Sequence, residues 1–111
     1  IKLNELIMNN AAAFNAPSIA PPREKTGSTD FGNVMYEVPG SCIRMAFVPS
    51  GTPAHSQAYL DAGKSEAAHR AVRLSAEILA ATCLDILDNP ALMQEIQEDF
   101  TQRKAQMGAK I

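Results

Sequence analysis

The first residues of the chain carry apolar side chains at helical spacing. Leu3, Ile7 and Phe14 fall on one face when the segment is wound as a helix. This pattern predicts an amphipathic helix over residues 1–14. Pro17 follows shortly after, and a proline at that place marks the end of a helix because its ring excludes the helical hydrogen-bond pattern.

A longer helix is predicted in the second half of the chain. Ser65 is a typical N-cap residue, and the apolar pattern then continues to Leu87. Val72 and Leu79 belong to one apolar stripe, and further apolar residues make the second half of the helix apolar almost all round. That half is therefore predicted to be buried on several sides.

The last helix is predicted to begin at Asn89-Pro90, since asparagine caps a helix and proline suits its first turn. Gly108 is predicted to stop it. A narrow apolar stripe runs along this helix and consists of Leu92, Ile96, Phe100 and Met107.

Residues 42–48 form an almost continuously apolar run that only Arg44 interrupts. Such a run predicts a strand that is covered on both faces, as in the sheet of an α/β protein. A single strand has no partner within itself, and a long buried helix needs a sheet to lie on. The pattern therefore predicts that this chain is part of a larger α/β domain.

Two loops flank this predicted strand. Residues 27–33 combine glycines with a short polar triplet and predict a turn-rich segment. Residues 49–53 are rich in proline and glycine, and His55 follows them. Because ligands gather where loops leave the carboxyl ends of strands, His55 stands where chemistry is common.

The charge and composition exclude several functions. The 111 residues carry a net charge of −2 and are 46% hydrophobic. No basic surface is expected, so nucleic acid is not predicted as a partner. No apolar run reaches the length of about 18 residues that a membrane span needs. Cys42 and Cys83 are interpreted as buried free thiols in a reducing compartment, and a disulfide between them is the alternative interpretation.

Each candidate side chain also has an ordinary interpretation. An isolated histidine such as His55 is more often a loop residue than a ligand. Asp30 is as well explained by a turn or a helix cap, and His69 by a surface position on the long helix. Ser28 and Thr29 lack a neighbouring His-Asp pair, so they are not interpreted as nucleophiles. Core positions are predicted for Met35, Met45, Met93, Phe47 and Phe100.

Taken together, two motifs resemble metallopeptidase family twenty, which contains aminoacylases, dipeptidases and aminobenzoyl-glutamate hydrolases. The first is Gly27-Ser28-Thr29-Asp30, and the second is Gly51-Thr52-Pro53-Ala54-His55-Ser56. Their order and spacing, with two helices after the histidine, are similar to the end of the catalytic domain in that family. The resemblance covers residues 1–107.

The resemblance implies roles for individual residues. It makes His55 a metal ligand and makes Gly27, Ser28, Thr29 and Asp30 a loop that shapes the substrate cleft. It implies a two-metal site with zinc or manganese and a metal-activated water that attacks an amide bond. The other ligands, the bridging carboxylate and the glutamate base are expected in earlier sequence of a longer parent protein, as is a separate lid domain.

The resulting expectation is an α/β fold: the C-terminal portion of a zinc-exopeptidase-like three-layer domain, mostly helical with one clear core strand. Residues 1–111 would form one partial domain, whose partner is the missing N-terminal half. The intact cytoplasmic enzyme would hydrolyse an N-acyl or aminobenzoyl amino acid or a small peptide, and this chain alone would be inactive. The alternative is a non-catalytic module that buries its apolar helix faces against another chain, for example in a homo-oligomer.

Overall fold

A computed structural model describes residues 2–17 and 29–109. These residues form five helices, which we number in chain order. They are α1 (Lys2–Ala13), α2 (Phe31–Glu37), α3 (Gln57–Ala62), α4 (Glu66–Asp88) and α5 (Pro90–Ala109). The predicted helices α1, α4 and α5 are confirmed to within a residue or two at each end.

The core lies where α1 packs against α4. Ile7 and Ala11 of α1 meet Ile78 of α4, and Ile78 is completely buried. Ile43 and Met45, from the segment between α2 and α3, are half-buried against the same cluster. The core is therefore small, and one side chain lies at its centre.

A polar contact fixes how α1 and α4 are aligned. The amide nitrogen of Asn10 donates to the hydroxyl of Thr82 and to the carboxylate of Asp85, at 3.0 Å each. The buried Thr82 hydroxyl in turn donates to the carbonyl of Ile78 at 2.8 Å. The buried hydroxyl thus both accepts and donates a hydrogen bond, which avoids the cost of an unpaired polar group beside the core.

The start of α4 depends on Ser65, as predicted. Its backbone is extended, and its hydroxyl accepts a hydrogen bond from the Ala68 N–H at 3.1 Å. This bond satisfies one of the free N–H groups that every helix leaves at its first turn. At the other end, the Asn89 side chain accepts from the Leu92 N–H at 3.3 Å and so begins α5.

We expect Ser65→Ala to lower the free energy of unfolding by about 1 kcal/mol, because the Ala68 N–H loses its partner. Urea unfolding followed by circular dichroism measures the change. The matched control is Ser75→Ala in the same helix, whose hydroxyl only bonds back to the Ala71 carbonyl. This control should be neutral or slightly stabilising, since alanine favours a helix interior. Equal losses at both positions would contradict the capping role.

The predicted α/β class is wrong for the part of the chain that is described. Residues 42–48 lie outside any helix or strand, and the described residues contain no sheet. Half-buried Ile43, Met45 and Phe47 alternate there with exposed Cys42, Arg44 and Ala46. A strand exists only by hydrogen bonding to a neighbouring strand, and residues 2–17 and 29–109 offer none, so the described fold is all-α.

Other burial predictions also fail. Leu79, Leu84 and Leu87 on α4 are 47%, 57% and 76% exposed, so the second half of this helix is not buried on several sides as predicted. Cys42 and Cys83 are free, but both are exposed. The predicted core residues Met35 and Met93 are exposed as well, whereas Met45, Phe47 and Phe100 are half-buried. Within the described ranges, none of the helices is long and apolar enough to cross a membrane.

Candidate functional site

The loop that carries His55 opens with a tight turn. The Thr52 N–H and hydroxyl both donate to the Pro49 carbonyl, at 3.2 and 2.7 Å. Gly51 sits inside this turn with a φ of 88°, a conformation that glycine adopts without steric cost. The sequence Pro-Ser-Gly-Thr therefore reverses the chain just before the histidine.

His55 itself has an unusual backbone conformation. Its φ is 59°, in the left-handed region, where a non-glycine residue is uncommon. The conformation costs on the order of 1 kcal/mol, and such costs often collect at functional sites. The side chain is exposed and makes no hydrogen bond to any other described residue. Its imidazole is therefore available to a ligand.

The residues after His55 hold this conformation in place. Ser56 caps α3: its hydroxyl accepts from the Tyr59 N–H at 3.2 Å and donates to the Pro53 carbonyl at 2.6 Å. The Tyr59 ring then meets the Phe47 ring edge to face, with centroids 5.0 Å apart. Because Phe47 precedes the loop and Tyr59 follows it, this contact ties the two ends of the loop together.

The other predicted loop, residues 27–33, is only partly described. Gly27 and Ser28 lie outside the described residues, whereas Thr29 and Asp30 are exposed at the start of α2. The Thr29 hydroxyl accepts from the Phe31 N–H at 3.3 Å. Asp30 stands at the N-cap position with helical backbone angles, but its side chain makes no capping hydrogen bond. Within the described part of the chain, no hydrogen bond or ion pair joins Thr29 or Asp30 to His55.

The described residues do not complete a metal site by themselves. No three side chains of His, Cys, Asp or Glu in residues 2–17 and 29–109 are clustered closely enough to hold an ion. A catalytic zinc needs about three protein ligands, and His55 would supply one imidazole nitrogen. His69 is exposed on α4, as the sequence predicted, and belongs to no such cluster.

Comparison with known proteins identifies relatives that are hydrolases. The chain is 38% identical to mouse Xaa-Arg dipeptidase over 101 residues, which is 89% of this chain and 21% of the relative. It is 41% identical to the human Xaa-Arg dipeptidase over 100 residues, with the same coverage. It is 32% identical over 88 residues to one subunit of p-aminobenzoyl-glutamate hydrolase from Escherichia coli, covering 78% of this chain and 18% of that protein. The chain belongs to metallopeptidase family twenty.

This family-twenty chain spans about a fifth of the length of the curated relatives it matches. No protein-family model matches it, and no solved structure matches it. The family resemblance carried by the two motifs is confirmed by these relatives. The roles of His55, Thr29 and Asp30 within family twenty stay predictions for this chain.

Sequence reasoning missed two short helices of this family-twenty chain, although both have readable signals. Phe31, Val34, Met35 and Val38 recur at helical spacing after Asp30, and they predict α2. For α3, the signal is Ser56 as an N-cap residue. The interpretation of residues 27–33 as a turn is therefore wrong from Phe31 onward.

Proposed function

We propose that this chain is one segment of a metal-dependent amidohydrolase. It would form a single partial domain of a longer parent protein. The observation that supports this most strongly is its identity of 32–41% to two dipeptidases and an aminobenzoyl-glutamate hydrolase. In the parent, His55 binds one metal ion, zinc or manganese, and Gly27, Ser28, Thr29 and Asp30 shape the substrate cleft. The missing N-terminal half supplies the remaining ligands.

The geometry at His55 supports this assignment. A metal ligand must present a free nitrogen lone pair, and the imidazole is exposed and free of hydrogen bonds to the rest of the described chain. The left-handed backbone and the Ser56 cap fix where the side chain leaves the loop. When bound, the metal would activate a water molecule for attack on a carbonyl carbon. Histidine nitrogen accepts either zinc or manganese.

An exposed apolar ridge on α4 supports the idea of a longer parent. The ridge consists of Val72, Leu79, Leu84 and Leu87, which are 47–76% exposed. Full burial of a fully exposed side chain of this kind stabilises a protein by about 1.5–3 kcal/mol, so a partner that covers the exposed part of the ridge would be favoured. We infer that another part of the parent packs on this ridge. The exposed free thiols Cys42 and Cys83 fit a reducing compartment such as the cytoplasm.

The proposed substrate class follows from the relatives. The names of these proteins specify Xaa-Arg dipeptides and p-aminobenzoyl-glutamate. In each, an amide bond joins an acyl group to an amino acid. We therefore propose that the parent hydrolyses the amide of an N-acyl or aminobenzoyl amino acid or of a small peptide.

The test compares the full-length parent with the isolated 111-residue chain. We expect the parent to hydrolyse an Xaa-Arg dipeptide or aminobenzoyl-glutamate, and to lose this activity after chelation. Added zinc or manganese should restore it. The isolated chain should show no hydrolysis under any of these conditions, because one histidine does not make a site. Release of arginine or aminobenzoate measures the reaction.

Two outcomes would contradict the proposal. The first is a parent that hydrolyses neither substrate with either metal, and the second is activity that survives chelation.

The exposed α4 ridge equally suits the alternative function, a non-catalytic oligomerisation module. Sedimentation of the 111-residue chain distinguishes them, since the alternative predicts a concentration-dependent dimer that binds no metal.

A further inference from the structure

A cavity of about 300 Å³ lies among α1, α2 and α5. Its apolar wall includes Leu3 of α1, Met35 and Tyr36 of α2, and Ile96 and Phe100 of α5. This volume is at the lower end of the range for pockets that bind small molecules, and an apolar lining with a few polar groups is typical of them. His55, Thr29 and Asp30 do not line it.

Two cationic side chains, Arg103 and Lys104, also line this cavity. The ammonium of Lys104 lies 4.8 Å from the centroid of the Tyr36 ring and 5.8 Å from that of Phe100. Both rings attract the cation and restrict where it can lie. Lys104 is thus held beside two rings, whereas Arg103 interacts electrostatically with the carboxylate of Asp99 in the same lining.

Asp99 is the one carboxylate among the described residues of this lining, and it is already engaged. Asp99 accepts a hydrogen bond from the Lys2 backbone N–H, and the positive charge of Arg103 also stabilises its anionic form. The Lys2 N–H lies 3.1 Å from the carboxylate oxygen. Asp99 therefore stays anionic at neutral pH. Among the described lining residues, two are cationic and one is anionic, which leaves one net positive charge beside an apolar wall.

We propose that this cavity binds a small carboxylate with an apolar body. The carboxylate would pair with Lys104 and Arg103, and the body would pack against Met35, Ile96 and Phe100. Met35 suits a ligand whose apolar body contains a ring, because the thioether sulfur of methionine packs well against aromatic rings. A neutral ligand of the same shape would offer no negative charge to Lys104. This inference goes beyond the hydrolase function and does not rest on it.

Gly32 allows the cavity to be filled without disturbing the fold. It lines the cavity, and a Cβ added there would meet no atom within 4 Å. Gly32 also belongs to α2, where leucine is a better helix former than glycine by roughly 0.5–1 kcal/mol. We therefore expect Gly32→Leu to occupy the cavity and to leave the helix intact.

The experiment titrates the 111-residue chain with phenylbutyrate and with its neutral amide, phenylbutyramide, and follows backbone amide shifts by NMR. The acid should shift resonances of α2 and α5 and should bind about fivefold more tightly than the amide, the size expected of a partly exposed ion pair. Lys104→Gln should remove this difference. Lys64→Gln, which changes an exposed lysine outside the cavity lining, should keep it. Gly32→Leu should abolish binding of both ligands.

Each contrary result overturns the proposal. Equal binding of the acid and the amide to the unaltered chain would show that no cation recognises the carboxylate. Binding that survives Gly32→Leu would place the ligand elsewhere, as would shifts outside α1, α2 and α5. Absence of any shift at saturating phenylbutyrate would show that the cavity does not take this class of ligand. The circular dichroism spectrum of each variant verifies that its helices are intact.

Discussion

Replacing His55 by asparagine in the full-length parent is expected to remove at least one bound metal ion and to lower hydrolase activity by more than about 100-fold. Loss of a residue that only orients a ligand already costs roughly 10–100-fold in metal affinity or activity, and loss of a ligand itself should cost more. Elemental analysis measures the metal, and steady-state kinetics measures the activity.

Asparagine is the right replacement because of the backbone at this position. His55 has a φ of 59°, and asparagine is one of the few residues that adopt this left-handed conformation readily. His55→Asn therefore removes the imidazole without adding backbone strain. The Ser56 cap and the contact between Phe47 and Tyr59 do not involve the imidazole, so the thermal unfolding midpoint should change little.

The matched control is His69→Asn, which removes the other histidine of the chain from an exposed position on α4. It should leave metal content and activity unchanged. If His55→Asn kept its metal and its activity, His55 would be an ordinary loop histidine. The family assignment would then stand on the relatives alone, without a ligand in this segment.

The sequence predicted best those features that local chemistry determines. α4 begins after Ser65 and α5 after Asn89, as their capping side chains indicated. Apolar spacing also identified α1, since the backbone hydrogen bonds of a helix join residues only four apart in the same segment. These elements need no information from distant parts of the chain.

The strand was predicted wrongly because it depends on a distant partner. Residues 42–48 have the composition of a strand, but backbone hydrogen bonds to a second strand must come from elsewhere. The same reason explains the error on α4. An apolar stripe indicates which residues prefer burial, but not what covers them, and Leu79 is 47% exposed here. Prediction therefore failed wherever the answer lay outside the segment concerned.

The candidate site and the cavity also differ in whether their residues are close together in the sequence. The motif around His55 could be read from the sequence because its residues are adjacent. The cavity could not, because Tyr36 of α2 and Lys104 of α5 are distant in sequence and meet only in the folded chain. One signal was available, since Phe100 and Lys104 are four residues apart on one helix and therefore lie on one face.

Ile78→Ala should destabilise the chain more than any other single truncation in its core. Ile78 is 0% exposed and contacts α1 through Ile7 and Ala11. Removing its side chain leaves a cavity between the two helices, and such a change costs about 2–5 kcal/mol. The loss is a large part of the free energy of unfolding of a small domain, about 5–15 kcal/mol. Urea unfolding followed by far-UV circular dichroism measures it.

The neighbouring residue provides the control. Leu79 is on the same helix but is 47% exposed, and Leu79→Ala should change the free energy of unfolding by only about 0.5 kcal/mol in the isolated chain. In the full-length parent, the loss at Leu79 should become larger, because we propose that the α4 ridge is covered there. Equal effects of the two substitutions in the isolated chain would mean that α4 packs on α1 through another face. An unchanged, small effect of Leu79→Ala in the parent would mean that the ridge stays exposed to solvent.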